Sequence, residues 1–156
     1  MSKFFVVAMG GTFDVLHKGH VTLLSKAFEV SDKTIIGLTS DRLALKKGKK
    51  LWNNYSTRMK NLIALIEKKF PNSNFHISKL DDDFGPAVLK DEVEALVVSE
   101  ETAYQIDILN QQRKEKNLPP VHGVIVPMVM AEDGTRISST RIRNSEIDSE
   151  GKTHTN

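Results

Sequence analysis

The chain of 156 residues contains no cysteine. That excludes a disulfide framework, a thiolate nucleophile and any cysteine-ligated zinc or iron–sulfur site. Charge of one sign is also lacking. Its 22 Lys and Arg face 20 Asp and Glu, for a formal charge of +2. A surface built throughout for nucleic acid is therefore not expected, although a local anion site is compatible with this balance. No apolar run approaches the ~20 residues that span a bilayer. The longest near the N-terminus, FFVVAM at 4–9, is short for a secretory leader and is ended by Gly10 and Gly11 with no cleavage pattern behind it. These absences predict a cytoplasmic protein with no membrane partner. With 39% hydrophobic residues, the chain is expected to fold as one domain over 1–144, followed by a polar, frayed tail at 145–156.

What is present alternates. Residues 4–9 read as a strand buried on both faces. Val21, Leu24, Ala27 and Phe28 recur at helical spacing within 18–30. TIIGLTS at 34–40 is a second strand, and a basic irregular stretch follows from Lys46 to Tyr55. Met59, Leu62, Ile63 and Ile66 mark a helix over 56–70, stopped by Pro71. Strands are predicted at 74–78, 95–99 and 121–129, with a helix over 100–116 ended by Pro119 and Pro120. The pattern predicts an α/β fold: a Rossmann-like, doubly wound, parallel five-stranded sheet of order 3-2-1-4-5. Ligands of such sheets bind beyond the carboxyl ends of the strands, where the strand order reverses.

The loop after the first strand reads GGTFDVLHKGH, 10–20. Gly10 and Gly11 permit a tight turn and close approach of a ligand to the backbone. Thr12 offers a hydroxyl. A helix starting near Lys18 points its unpaired N–H groups and its dipole at the same place. Gly19 leaves room for a ligand to press on the backbone. His17 and His20, three apart, fall on one side of that helix. On spacing alone three readings stand: a metal pair, a capped helix, and a phosphate cradle. A metal would need a third ligand, and His76, His122 and His154 have no ligand spacing.

RISSTRIR, 136–143, is the second informative stretch. Ser138, Ser139 and Thr140 are natural helix caps, and Arg141 and Arg143 follow them. Hydroxyls, N–H groups and guanidiniums together make an anion cradle. One motif follows the first strand and the other the last, so in a 3-2-1-4-5 sheet the two loops face one cleft.

GTFDVLHKGH and ISSTRIR resemble the GTFDxxHxGH and ISSTxIR signatures of the nucleotidyltransferase superfamily. VVSEET at 97–102, LNQQR at 109–113 and AEDGTRISSTRIR at 131–143 resemble the archaeal and eukaryotic-type phosphopantetheine adenylyltransferases. The likeness runs over roughly residues 3–150. One departure is EETAYQID, which lacks the glycine pair that often follows this segment in relatives. The resemblance implies adenylyl transfer from ATP to 4′-phosphopantetheine, giving dephospho-coenzyme A and pyrophosphate. A sister transferase using flavin mononucleotide or an alcohol phosphate, with CTP as a further donor, and a non-catalytic nucleotide-binding relative are the alternatives.

By the same resemblance, His20 donates a hydrogen bond to the transferred phosphate and His17 orients the nucleotide. Gly10, Gly11, Thr12, Phe13, Ser99 and Glu100 join them at the nucleotide. Ser138, Ser139, Thr140 and Arg143 hold its β- and γ-phosphates. Thr12, Lys46 and Arg58 meet the acceptor. Lys46 is preferred within KKGKK, with Lys49 and Lys50 as alternatives and a solvated basic loop as the plain reading. Arg58 binds phosphate or pairs with a carboxylate, Asp14 orders its loop through local hydrogen bonds, and Trp52 stacks on a ligand or packs. Magnesium is expected to be held by phosphates and water, without a protein cage.

Overall fold

A computed structural model describes residues 3–85 and 90–127. The expected cap at 138–140, the arginines at 141 and 143 and the tail at 145–156 lie outside the described residues. Five strands, β1 (Phe4–Gly11), β2 (Ser31–Thr39), β3 (Phe75–Leu80), β4 (Ala95–Ser99) and β5 (His122–Val126), form one sheet of order β3-β2-β1-β4-β5. Every pairing is parallel. Among the described residues four α-helices accompany the sheet: α1 (Lys18–Val30), α2 (Asp41–Lys46), α3 (Tyr55–Lys69) and α4 (Gln105–Glu115). The chain reverses its direction of winding at β1, whose neighbours are β2 and β4.

The continuous apolar strands follow from burial of both faces of the sheet. Val7 and Met9 of β1, Ile36 and Leu38 of β2 and Ala95 and Val97 of β4 share a core with Leu24 and Ala27 of α1 and Leu62 and Ile66 of α3. The intervening residues Ala8, Ile35, Leu96 and Val98 face the other way and pack with Leu109 of α4. Period two in the strands and period 3.6 in the helices thus divide the core between two layers.

Two details differ from the sequence reading. Residues 41–46 form a short helix, closed by the Ser40 side chain accepting from the Leu43 N–H at 3.0 Å. The helix expected over 100–116 is broken into a 3-10 turn, Glu100–Thr102, and α4. The Thr102 hydroxyl folds back to Ser99, accepting from its N–H at 3.2 Å and lying 3.1 Å from its Oγ. This local hydroxyl bonding competes with a continuous helix.

Candidate active site

The loop between β1 and α1 is held from three directions. Arg58, on α3, has no exposed surface. Its Nη1 donates to the Thr12 carbonyl at 2.8 Å and to the Thr39 carbonyl at 2.7 Å. Its Nε donates to the Asn53 carbonyl at 3.1 Å, and its Nη2 to Asp41 Oδ1 at 2.7 Å. One guanidinium therefore ties together the loop, the end of β2, the start of α2 and the approach to α3. Of the two expected roles, pairing with a carboxylate is the one seen for Arg58, which does not line the cavity described below. Burial works against ionisation of Asp41, but the Arg58 hydrogen bond and charge prevail and lower its carboxyl below the usual value.

Asp14 also acts at long range. Its carboxylate accepts the backbone N–H groups of Trp52 at 2.9 Å and Asn53 at 3.0 Å. The basic stretch is thereby drawn over the loop, and Lys49 Nζ reaches Thr12 Oγ1 at 3.2 Å. Lys46 is exposed on the last turn of α2. Lys47 and Lys49, not Lys46, line the cavity. Trp52 is 61% exposed and is absent from that lining.

The two histidines cap α1. His17 Nδ1 accepts from the Gly19 N–H at 3.0 Å, and His20 Nδ1 accepts from the His17 N–H at 3.2 Å. This is a capping box made of imidazoles, with the rings stacked 3.9 Å apart. A neutral ring whose Nδ1 accepts carries its proton on Nε2. The helix cap therefore fixes the tautomer and leaves Nε2–H as the donor of each ring. Burial lowers the His20 pKa well below the usual 6.5, and electrostatic interaction with His17 and Lys49 lowers it further. A cation at His20 is disfavoured, while a neutral hydrogen-bond donor is preserved.

Gly19 serves this arrangement. A Cβ there would fall 2.7 Å from His17 Cε1 and 2.9 Å from its Nδ1. The space beside Gly19 belongs to the His17 ring, not to an approaching ligand. Phe13 is 1% exposed with a φ of 51°, and its ring lies 5.0 Å from that of His20. Its side chain thus supports the loop from beneath rather than lying open to a nucleotide.

A cavity of about 340 Å³ opens at the carboxyl ends of the strands. Gly10, Gly11 and Thr12 stand at its centre. Leu43, Lys49, Ser78 and Leu80 line the β2–β3 side, and Ser99, Thr102, Tyr104 and Gln105 the β4 side. His17, His20 and Glu100 are not among its lining residues. Lys47 Nζ and Asp83 Oδ1, both at the cavity, pair at 2.6 Å. Thr102, Tyr104 and Gln105 were not named individually as site residues, although they fall within the VVSEET and EETAYQID stretches. The described residues contain no cluster of three His, Asp or Glu suited to a metal ion.

The cytidylyltransferase-like family profile matches residues 8–145. A phosphopantetheine adenylyltransferase of Methanothermobacter thermautotrophicus is 42% identical over 149 residues, spanning 96% of this chain and 89% of its own length. One from Methanosarcina acetivorans is 44% identical over 149 residues, spanning 94% of each. The chain belongs to the phosphopantetheine adenylyltransferases. As a member of that family it is a nucleotidyltransferase, and its β1 loop is the family's HxGH segment. Among solved structures, a protein of unknown function from Archaeoglobus fulgidus is similar, with a TM-score of 0.70 and 31% identity over 81% of this chain and 89% of that one.

Proposed function

We propose that this enzyme joins the phosphate of 4′-phosphopantetheine to the α-phosphorus of ATP, in the cytoplasm and without a nucleic-acid or membrane partner. An acceptor phosphate oxygen forms the new P–O bond. The bond from the α-phosphorus to the oxygen bridging to the β-phosphorus breaks, and pyrophosphate leaves with the electron pair. The acceptor phosphate is already ionised near neutral pH, its second pKa being about 6, so no strong base is required. Catalysis then consists of positioning and of donors aimed where charge develops.

The observation that carries this reading is the imidazole capping box. It fixes the Nε2–H tautomer of His20, which presents a hydrogen-bond donor to the transferred phosphate, while burial disfavours the ring's cation. His17 takes the neighbouring nucleotide oxygen. Thr12 and Lys49 receive the acceptor phosphate; the 3.2 Å contact between them supports Lys49 over Lys46. Ser99 and Glu100, and the segment holding Ser138, Ser139, Thr140 and Arg143, follow β4 and β5, so ATP is assigned to that half of the cleft. The acceptor then takes the half over β2 and β3.

Magnesium fits this loop only as a complex with the triphosphate. Hydroxyls, backbone N–H groups and Lys49 suit anionic oxygens, while Asp41 and Asp83 are paired with Arg58 and Lys47. Phosphate oxygens and water would hold the ion, which neutralises charge on the β- and γ-phosphates when bound. The test is a panel: pure protein with ATP or CTP, magnesium and either 4′-phosphopantetheine, flavin mononucleotide or glycerol phosphate. Pyrophosphate released with ATP and 4′-phosphopantetheine is expected. Turnover confined to another pair, or tight ATP binding with no turnover, overturns the reading.

A further inference from the structure

Gly37 lies within β2, where glycine weakens a strand and marks a close approach of another group. The group is Leu80. A Cβ on Gly37 would fall 2.7 Å from Leu80 Cδ1, 2.8 Å from Cγ and 2.9 Å from Cδ2. Two more glycines bound the same side chain: a Cβ on Gly10 would meet Leu80 Cδ1 at 3.2 Å, and one on Gly85 would meet Cδ2 at 2.9 Å. Gly10 and Gly37 are register partners on adjacent strands. All four residues line the cavity. Leu80 is thus laid flat over the ends of β1 and β2, and its Cδ1 reaches Gly10, two residues before Thr12.

We propose that Leu80, seated on Gly37, is a specificity-determining residue that sets the bulk admitted beside the acceptor's phosphate. The proposal rests on the adenylyl-transfer reading above and deepens it. In 4′-phosphopantetheine the methylene bearing the phosphate is attached to a carbon carrying two methyl groups. With the phosphate at Thr12 and Lys49, those methyls come over the β2–β3 half of the cleft, where Leu80 offers an apolar floor. Gly37 holds that floor down. An added methyl at position 37 lifts the Leu80 side chain into the cavity, because strand backbone lies beneath it and the cavity lies above.

The experiment compares the wild type with Leu80→Ala, Gly37→Ala and the double variant. Pyrophosphate release is measured with 4′-phosphopantetheine and with an analogue lacking its two branch methyls. One apolar group of this size is worth about 10–200-fold in kcat/KM. The wild type is expected to favour the natural acceptor by about 10-fold or more. Leu80→Ala should lose most of that preference, by slowing the natural acceptor and not the analogue, with the KM for ATP unchanged. Gly37→Ala should raise the acceptor KM in the wild-type background but not in the Leu80→Ala background, where its clash partner is gone. If Leu80→Ala fails to fold, Leu80→Val carries the same expectation at smaller size. An unaltered preference in the Leu80 variant, with the wild type forming dephospho-coenzyme A, overturns this proposal alone. No wild-type turnover with either acceptor overturns the adenylyl-transfer reading and this one together.

Discussion

Replacing Gly19 with alanine separates the catalytic meaning of the HKGH turn from its structural meaning. The new Cβ would lie 2.7 Å from His17 Cε1, so the ring must swing away. The swing breaks the 3.0 Å bond from the Gly19 N–H and the 3.9 Å stack on His20. Loss of an N-cap bond costs about 1 kcal/mol, in a range of about 0.5–2. Alanine in place of glycine inside a helix returns about 1 kcal/mol. The two nearly cancel, and in a domain of this size 1 kcal/mol moves Tm by about 2–4 °C. The melting temperature should therefore stay within about 4 °C of the wild type. Activity has no such compensation. The His20 ring loses the neighbour that fixes its plane, and a misplacement near 1 Å costs up to about 10²-fold in rate. A kcat lowered at least about 10-fold, with a near-native melting curve, is expected from steady-state kinetics and calorimetry. Full activity in a stable variant would refute the claim that the capping box aligns His20.

Four further expectations follow from the same geometry. On the proposed role of His20 as donor to the transferred phosphate, His20→Ala should lower kcat by about 10²–10³, with a much smaller change in ATP affinity by titration calorimetry. Arg58→Lys cannot reproduce four directed bonds from one planar group, and leaving buried carbonyls unpaired costs about 1–3 kcal/mol for each group; Tm should fall by more than about 5 °C in thermal melts. Lys49→Ala should raise the acceptor KM about 10-fold or more while Lys46→Ala leaves it unchanged, as an alanine pair assayed side by side would reveal. The His20 pKa lies below its unfolded value near 6.5, so in the window beneath 6.5 the unfolded chain binds more protons. The stability this group contributes is complete above that window and falls as pH drops through it; the His20 imidazole resonance in NMR should accordingly titrate below 6.5.

Much of the architecture was legible because the signals are local and repetitive. Val7, Met9, Ile36 and Leu38 declare buried strands by run and composition, and Leu62 and Ile66 a helix by spacing. The sheet order followed from strand–helix alternation and the handedness of crossovers. The short α2 escaped because six residues cannot display a period, and its cap is a single Ser40 hydroxyl. The break after Ser99 escaped because it is decided by hydroxyl bonds between Ser99 and Thr102 rather than by apolar pattern.

At the site, GGTFDVLHKGH marked the loop but not what supports it. Apart from the Asn53 carbonyl, Arg58 and Asp14 act on partners 17 to 46 residues away, and such contacts leave no trace in spacing. Arginine is ordinarily an exposed residue, so a fully buried Arg58 runs against the prior that sequence reading applies. Lys46 was favoured over Lys49 on position alone; the Asp14 bonds to Trp52 and Asn53 draw the basic stretch inward and bring Lys49 to Thr12. The role of Gly19 also depended on geometry, since only the folded ring of His17 reveals what occupies the missing side chain's place.

The central claim is transfer of the adenylyl group to the acceptor's own phosphate. The most direct measurement uses 4′-phosphopantetheine whose phosphate oxygens carry a heavy isotope, incubated with ATP, magnesium and the pure protein, with products weighed by mass spectrometry. Dephospho-coenzyme A retaining every labelled oxygen, formed in equal amount with unlabelled pyrophosphate, is the predicted result. Label in pyrophosphate, release of AMP without dephospho-coenzyme A, or no product at high enzyme concentration would contradict it.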